Sequence, residues 1–324
     1  MLSSPDSLGN PPSMSKDHTH VLASHIASFW RVKHKNFTIN GETWSYLAQG
    51  DPSAEPIIFI HGMGTNKSAW RSQMQHYDNK AYYRIALNIP GACFTQYLKS
   101  QKHSIHNLCR WLDQAFEIIG IQKTHIVAHS TLTLLATFYT ATRPLNTKSL
   151  TLMSIPDLWG SDGTSTASET IQRFRSDINF QSVDDSVKML NSLFYNPPLL
   201  PKAMHKAGYT QHQKYLDRFL KVIDDLEQGL PLVMPQTKNI KCPLLIINGE
   251  SDTYSTPELI NSLHWHYPNA NTVNLLKCGH LIMLEKPKEI YKIHIQFITS
   301  TSIKQVSDFG DIIQSYETCA SSSS

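Results

Sequence analysis

Short, mainly apolar runs recur along this chain at residues 57–60, 84–87, 125–127, 150–153, 244–247 and 273–276. Runs of this length, rich in Ile, Val and Leu, read as strands with both faces covered. Helix-length amphipathic segments separate several of them. In residues 104–119, Ile105, Leu108, Leu112, Ala115 and Ile119 fall on one helical face, and residues 259–265 follow Thr256 and Pro257, residues suited to an N-cap and a first turn. A leading hairpin is expected at residues 37–49, where two alternating segments flank Gly41. Strands that alternate with helices predict an α/β fold, a mostly parallel sheet with helices on both faces. The alternation stops between residues 156 and 239, where the spacing predicts helices over 183–194 and 211–228 around the turn NPPLLP. A helical cap inserted after the sixth strand is the expected arrangement.

These readings divide the chain into a tail with a short helix (1–34), a sheet domain in two parts (35–155 and 240–302), the cap (156–239) and a C-terminal tail (303–324). Its 324 residues suffice for a large core without staples. Lys and Arg number 29 against 26 Asp and Glu, and they are scattered, so no footprint for nucleic acid is present. The five cysteines (Cys93, Cys109, Cys242, Cys278, Cys319) form no CxxC pair, which argues against a disulfide framework or a zinc site and fits a reducing cytoplasm. The N-terminus has no apolar signal core, and no run approaches the roughly 20 apolar residues that span a bilayer. Residues 1–19 read as a disordered tail. Val21, Leu22, Ile26, Phe29 and Trp30 lie at helical spacing, either as a helix packed on the domain or as a peripheral anchor on a lipid surface. Oligomeric state is not legible at this level.

Glycine is scarce, 14 in all, so clusters of it need a reason. His61-Gly62-Met63-Gly64 follows the 57–60 run, a place where backbone N–H groups are left to receive an anion. After 125–127 the chain reads Ala128-His129-Ser130-Thr131, passing into a helical stretch, so Ser130 is either an N-cap or a nucleophile on a tight turn with the Thr131 N–H beside it. Asp252 lies beyond the strand at 244–247 and His280 beyond that at 273–276. Serine, carboxylate and histidine thus follow in order along the carboxyl edge of the sheet, where sites form in open α/β folds. Asp157, beyond 150–153, is a rival for the carboxylate. The pair His264 and His266 invites a metal reading that no nearby carboxylate or cysteine joins, so no metal is assigned. His125 and His129 flank the strand before Ser130, and Cys278 reads as a packing residue.

With HGMG, NIPG, AHS, NGESD and CGHLIMLEKP in view, the chain resembles the α/β-hydrolase superfamily over roughly residues 35–300, and within it the capped esterases and lipases of the monoacylglycerol-lipase type. The resemblance implies the α/β-hydrolase fold, a Ser130 nucleophile, a His280 general base oriented by Asp252, and an oxyanion hole formed by the N–H groups of Met63 and Thr131. It implies a serine hydrolase acting on carboxylic esters with an apolar acyl chain, with no cofactor, because the cycle consumes only water. Thioesters, lactones, amides and carbon–carbon bonds remain alternatives on the same machinery. Leu132 and Thr133 stand where the family usually has glycine. Either the elbow shifts to make room, or the protein is a non-catalytic small-molecule-binding relative. In the cap, Phe174, Phe180, Leu190, Phe194, Leu199, Leu200, Met204 and Phe219 exceed the needs of a small core and are expected to include acyl contacts. His61, His129, Phe194 and Leu199 are the substrate contacts assigned.

Overall fold

The computed structural model describes residues 32–94, 102–157, 167–255, 259, 263 and 265–300. The tails, the helix at residues 20–31, His264, Cys319 and the start of the helix after Thr256 lie outside the described residues. Eight strands form one sheet: β1 (Lys33–Ile39), β2 (Glu42–Gln49), β3 (Glu55–Ile60), β4 (Tyr82–Leu87), β5 (Thr124–His129), β6 (Thr147–Met153), β7 (Leu244–Gly249) and β8 (Ala270–Leu275). Their order is β1-β2-β4-β3-β5-β6-β7-β8. The β1–β2 hairpin and the β2–β4 pair are antiparallel, and every pair from β4 onward is parallel.

Period-two alternation explains why the strands read as unbroken apolar runs. Ile58, Ile60, Ile126, Ala128, Leu244 and Ile246 face one core, and Ile57, Phe59, Val127, Leu245 and Ile247 face the other. The first core is covered by α1 (Ile105–Ile119) and α2 (Thr133–Thr142), and the second by α6 (Pro287–Thr299), through Ile290, Ile293 and Phe297. The Ser104 side chain caps α1 by accepting from the Asn107 N–H, as the spacing predicts. Each large apolar side chain buried this way is worth roughly 1.5–3 kcal/mol, so the sheet is a rigid base for the loops at its carboxyl edge.

Between β6 and β7 the described residues are helical: α3 (Ala167–Ile178), α4 (Val183–Ser192) and α5 (Lys202–Glu227), followed by shorter turns. The sequence periodicity misses α3 altogether. It also starts α5 nine residues late, because the first half of that helix is exposed to solvent on much of its surface and carries a weak stripe. Buried Leu216, Phe219, Val222 and Ile223 join the second half of α5 to the first core, which seats the insertion over the carboxyl edge. Among the described residues no helix is long and apolar enough to cross a membrane.

Candidate active site

At the end of β5 the chain turns through Ser130, whose φ of +56° is left-handed, and continues through a 3-10 turn (Ser130–Leu132) into α2. A non-glycine residue held there is strained, and the surrounding structure must hold it. The Thr133 hydroxyl donates to the Ser130 carbonyl at 2.6 Å, bracing the turn from inside. Leu132 does not block it: its side chain is fully buried in the first core. The close approach that glycine usually provides comes instead from Gly62 on the opposite side. A Cβ on Gly62 would stand 2.7 Å from His129 Nδ1 and 2.8 Å from Ser130 Cβ.

Ser130 Oγ lies 2.9 Å from His280 Nε2, and His280 Nδ1 lies 2.8 and 3.0 Å from the two Asp252 oxygens. With Nδ1–H donated to the carboxylate, Nε2 is left as acceptor for the Ser130 hydroxyl. Burial alone would push the Asp252 carboxyl up, but the His280 ring and the N–H groups of Tyr254 and Ser255 outweigh it and hold the carboxyl below its usual value. Asp157, the rival carboxylate, is not the partner of His280; its N–H donates to the Tyr254 carbonyl at 3.0 Å. The His280 carbonyl in turn accepts from His129 Nε2 at 2.8 Å and from the Ser154 hydroxyl at 2.9 Å, so the sheet holds the histidine's backbone as well.

The Met63 N–H points to the same turn, donating to Thr131 Oγ1 at 3.3 Å, a long and weak bond. The carbonyl of the same peptide unit, on Gly62, accepts from His61 Nδ1 at 2.8 Å, the Thr65 hydroxyl at 2.8 Å and the Thr65 N–H at 3.2 Å. Loading one end of a peptide unit with donors polarises its N–H at the other. His61, expected to touch substrate, is therefore corrected: it is fully buried behind the loop, with Nε2 accepting the Ile89 N–H.

One cavity of about 310 Å³ opens on Ser130 and His280, and His129 lines it. Phe174, Phe180, Leu190, Leu200, Met204 and Phe219 line it as anticipated, but Phe194 and Leu199 do not. Each misses by one residue. Leu193 and Leu200 face the cavity, whereas Phe194 packs toward the α6 core and Leu199 is fully exposed. Along α4 the cavity side runs through Ser186, Met189 and Leu190 and continues to Leu193 at the C-cap, and the chain leaves the helix there, so Phe194 turns to the other core. Tyr254 was not anticipated. Its ring stands edge-on to His280 at 5.3 Å and its hydroxyl donates to Asp177 on α3, a signal available only as an aromatic two residues after Asp252. His205, Tyr209 and His212 on α5 also line the cavity. Among the described residues no group of three or more His, Cys, Asp or Glu is placed to hold a metal ion. His125 is bound to Ser149 and Glu55 at the far end of β5, and burial pushes the Cys278 thiol up, consistent with packing.

A serine on a strained strand-to-helix turn, a histidine-carboxylate pair beside it and the HGMG loop opposite thus meet at the carboxyl edge of the sheet. A family model described as alpha/beta hydrolase fold matches residues 55–287. The chain belongs to this family. Its relatives include Lipase 1 of Psychrobacter immobilis, 26% identical over 283 residues, covering 85% of this chain and 87% of that one. A 2-hydroxy-6-oxononadienedioate/2-hydroxy-6-oxononatrienedioate hydrolase of Burkholderia vietnamiensis is 21% identical over 250 residues, covering 75% and 87%. The crystal structure of a bacterial membrane phospholipase A superposes with a TM-score of 0.70 at 19% identity, covering 87% and 89%, and shares the fold.

Burial of three histidines is expected to make the fold acid-sensitive. It lowers His61 from the usual 6.5 to about 4, and His129 and His294 to about 3, with repulsion from His280 adding at His129 and from His125 at His294. Below pH 6.5 the unfolded chain takes up protons that these rings refuse when folded, so their contribution is complete above 6.5 and is lost as pH falls toward their folded values. The expected loss is up to roughly 1.4 kcal/mol per pH unit for each ring. Urea unfolding at pH 7.5 and pH 5.0 checks it, and equal stabilities would show that the rings protonate in place.

Proposed function

We propose that this protein is a serine hydrolase that cleaves carboxylic esters of neutral, apolar acyl chains through an acyl-enzyme. The observation that carries the reading is the unbroken hydrogen-bond series Ser130–His280–Asp252 opening into a largely apolar cavity. In this mechanism the Ser130 proton passes to His280 Nε2 as Oγ attacks the ester carbonyl, and Asp252 stabilises the imidazolium. The carbonyl oxygen, now negative, displaces the Thr131 hydroxyl from the Met63 N–H and takes the Thr131 N–H at the start of the turn into α2 as its second donor. His280 returns the proton to the departing alkoxide, then draws one from water as the hydroxide attacks the acyl group, and passes it to Ser130 Oγ as the acyl–oxygen bond breaks and the acid leaves.

The cavity lining bears on the acyl group. Among the described residues that line it none is Lys, Arg, Asp or Glu. An acyl chain ending in a carboxylate, as in the nonadienedioate named for the Burkholderia relative, would meet no permanent cation there, only histidine rings, and would enter at a cost of up to several kcal/mol. A lipid-type acyl chain, as in the lipase relatives, would not. A small-molecule ester is thus the proposed partner, and the buried thiols of Cys109 and Cys278 are in keeping with a reducing cytoplasm as the proposed compartment.

A panel of p-nitrophenyl esters from acetate to palmitate, with acyl-CoA thioesters and a dicarboxylate monoester alongside, tests this reading. Turnover of medium-chain neutral esters, with the dicarboxylate monoester at least about 100-fold slower, is the expected result. No turnover on any ester would sink it. Gly62→Ala is expected to cost about 10²- to 10³-fold in kcat, because the new methyl group pushes the Met63 loop off the elbow and removes one oxyanion donor. Steady-state kinetics on the preferred ester checks it; a kcat within threefold of wild type would mean that the loop tolerates the methyl.

A further inference from the structure

The loop that carries His280 is held on its outer side by the helical insertion. The His280 and Leu281 N–H groups both donate to the Leu193 carbonyl, at 2.8 and 3.1 Å, just past the end of α4. Gly279 lies against the same turn, where a Cβ would stand 2.7 Å from the Leu193 oxygen and 2.8 Å from Phe194 Cα. One side chain closes this contact. Glu285 Oε2 accepts the Gly279 N–H at 2.7 Å, while Oε1 accepts the Tyr195 N–H at 3.0 Å and the Asn196 N–H at 3.1 Å. A single helical turn, Ile282–Glu285, folds the carboxylate back over the residues before it.

We propose that Glu285 is a positioning residue that fastens the His280 loop to the end of α4, so that one carboxylate sets both the base and the acyl-cavity wall. The inference rests on the esterase reading for what the positioned groups do, while the fastening itself stands on the geometry. Leu190 and Leu193 line the cavity, and the Leu193 carbonyl also holds the His280 backbone. A chain that displaces these leucines therefore moves the histidine with them. Charge-assisted bonds from an anion to N–H donors are the stronger kind, and here they bridge two segments about 90 residues apart in sequence.

Hydrogen exchange read by mass spectrometry tests the fastening without reference to turnover. In Glu285→Gln the amides of Tyr195 and Asn196 on one side and of Gly279 to Leu281 on the other should exchange about tenfold faster together. Glu289→Gln, on the exposed side of α6, should leave both segments as in wild type. Acceleration in only one segment, or in neither, overturns the proposal. If Glu285→Gln does not fold, the wild-type protein answers: octanoate in the cavity should slow exchange in both segments, and slowing confined to the α4 side overturns the link. The kinetic arm compares acetate and octanoate esters. Glu285→Gln should lower kcat for acetate about tenfold and flatten the preference for octanoate, well below its melting temperature. Unchanged kcat with only a lowered melting temperature makes Glu285 merely structural and overturns the positioning role. Wild-type protein that turns over no ester, while the two segments still move together, rejects the esterase reading and leaves the fastening standing.

Discussion

Ser130→Ala is expected to lower kcat on the preferred ester by at least about 10⁴-fold and to abolish labelling by a fluorophosphonate probe. Among the described residues the hydroxyl's bond is to His280 Nε2, which the fold does not depend on. Alanine also adopts the left-handed conformation at residue 130 at a cost similar to serine, so the melting temperature should change little. The residual rate should come from binding and the oxyanion donors alone. Probe labelling that persists in Ser130→Ala would place the nucleophile elsewhere, and intact protein mass with the probe attached would locate it.

Asp252→Asn should cost about 10⁴-fold in kcat with little change in KM. The reason lies in the two oxygens of Asp252. Oδ1 accepts the Tyr254 and Ser255 N–H groups, which would keep the oxygen of an asparagine in that place and turn its NH₂ toward His280. Facing a donor, the imidazole adopts the tautomer with the proton on Nε2, and it then has no lone pair to take the Ser130 proton. Asp157→Asn is the matched control and should stay within about threefold of wild type, because the His280 Nδ1 contacts go to Asp252. Reversed results for the two variants would move the acid to Asp157.

The strand series was legible because both faces of the sheet are covered, so consecutive apolar side chains fill the middle of β3, β5 and β7. The insertion was harder to read. A helix that lies on another domain shows its apolar stripe only over the turns that touch it, so α3 and the first half of α5 left little trace. The same limit explains Phe194 and Leu199. Hydrophobicity marks a residue as buried somewhere, but a helix end turns about 100° per residue, and only the tertiary contact decides whether 193 or 194 faces the cavity. Leu132 shows the reverse case. Sequence alone leaves open whether a leucine breaks the elbow, and the structure shows its side chain in the core while Gly62 supplies the close approach.

By itself the sequence determined the α/β architecture, the order of serine, carboxylate and histidine along one edge of the sheet, and the loop that faces them, because strand ends and scarce glycines are local features. Only the tertiary structure decided that Asp252 rather than Asp157 meets His280, that His61 supports the Met63 peptide from behind, and that Glu285 joins the histidine loop to α4. Two of these join segments distant in sequence, and in the third the His61 ring is held in place by the Ile89 N–H from the loop after another strand. Such contacts depend on how loops from different strands pack, and no local pattern of residues encodes that packing.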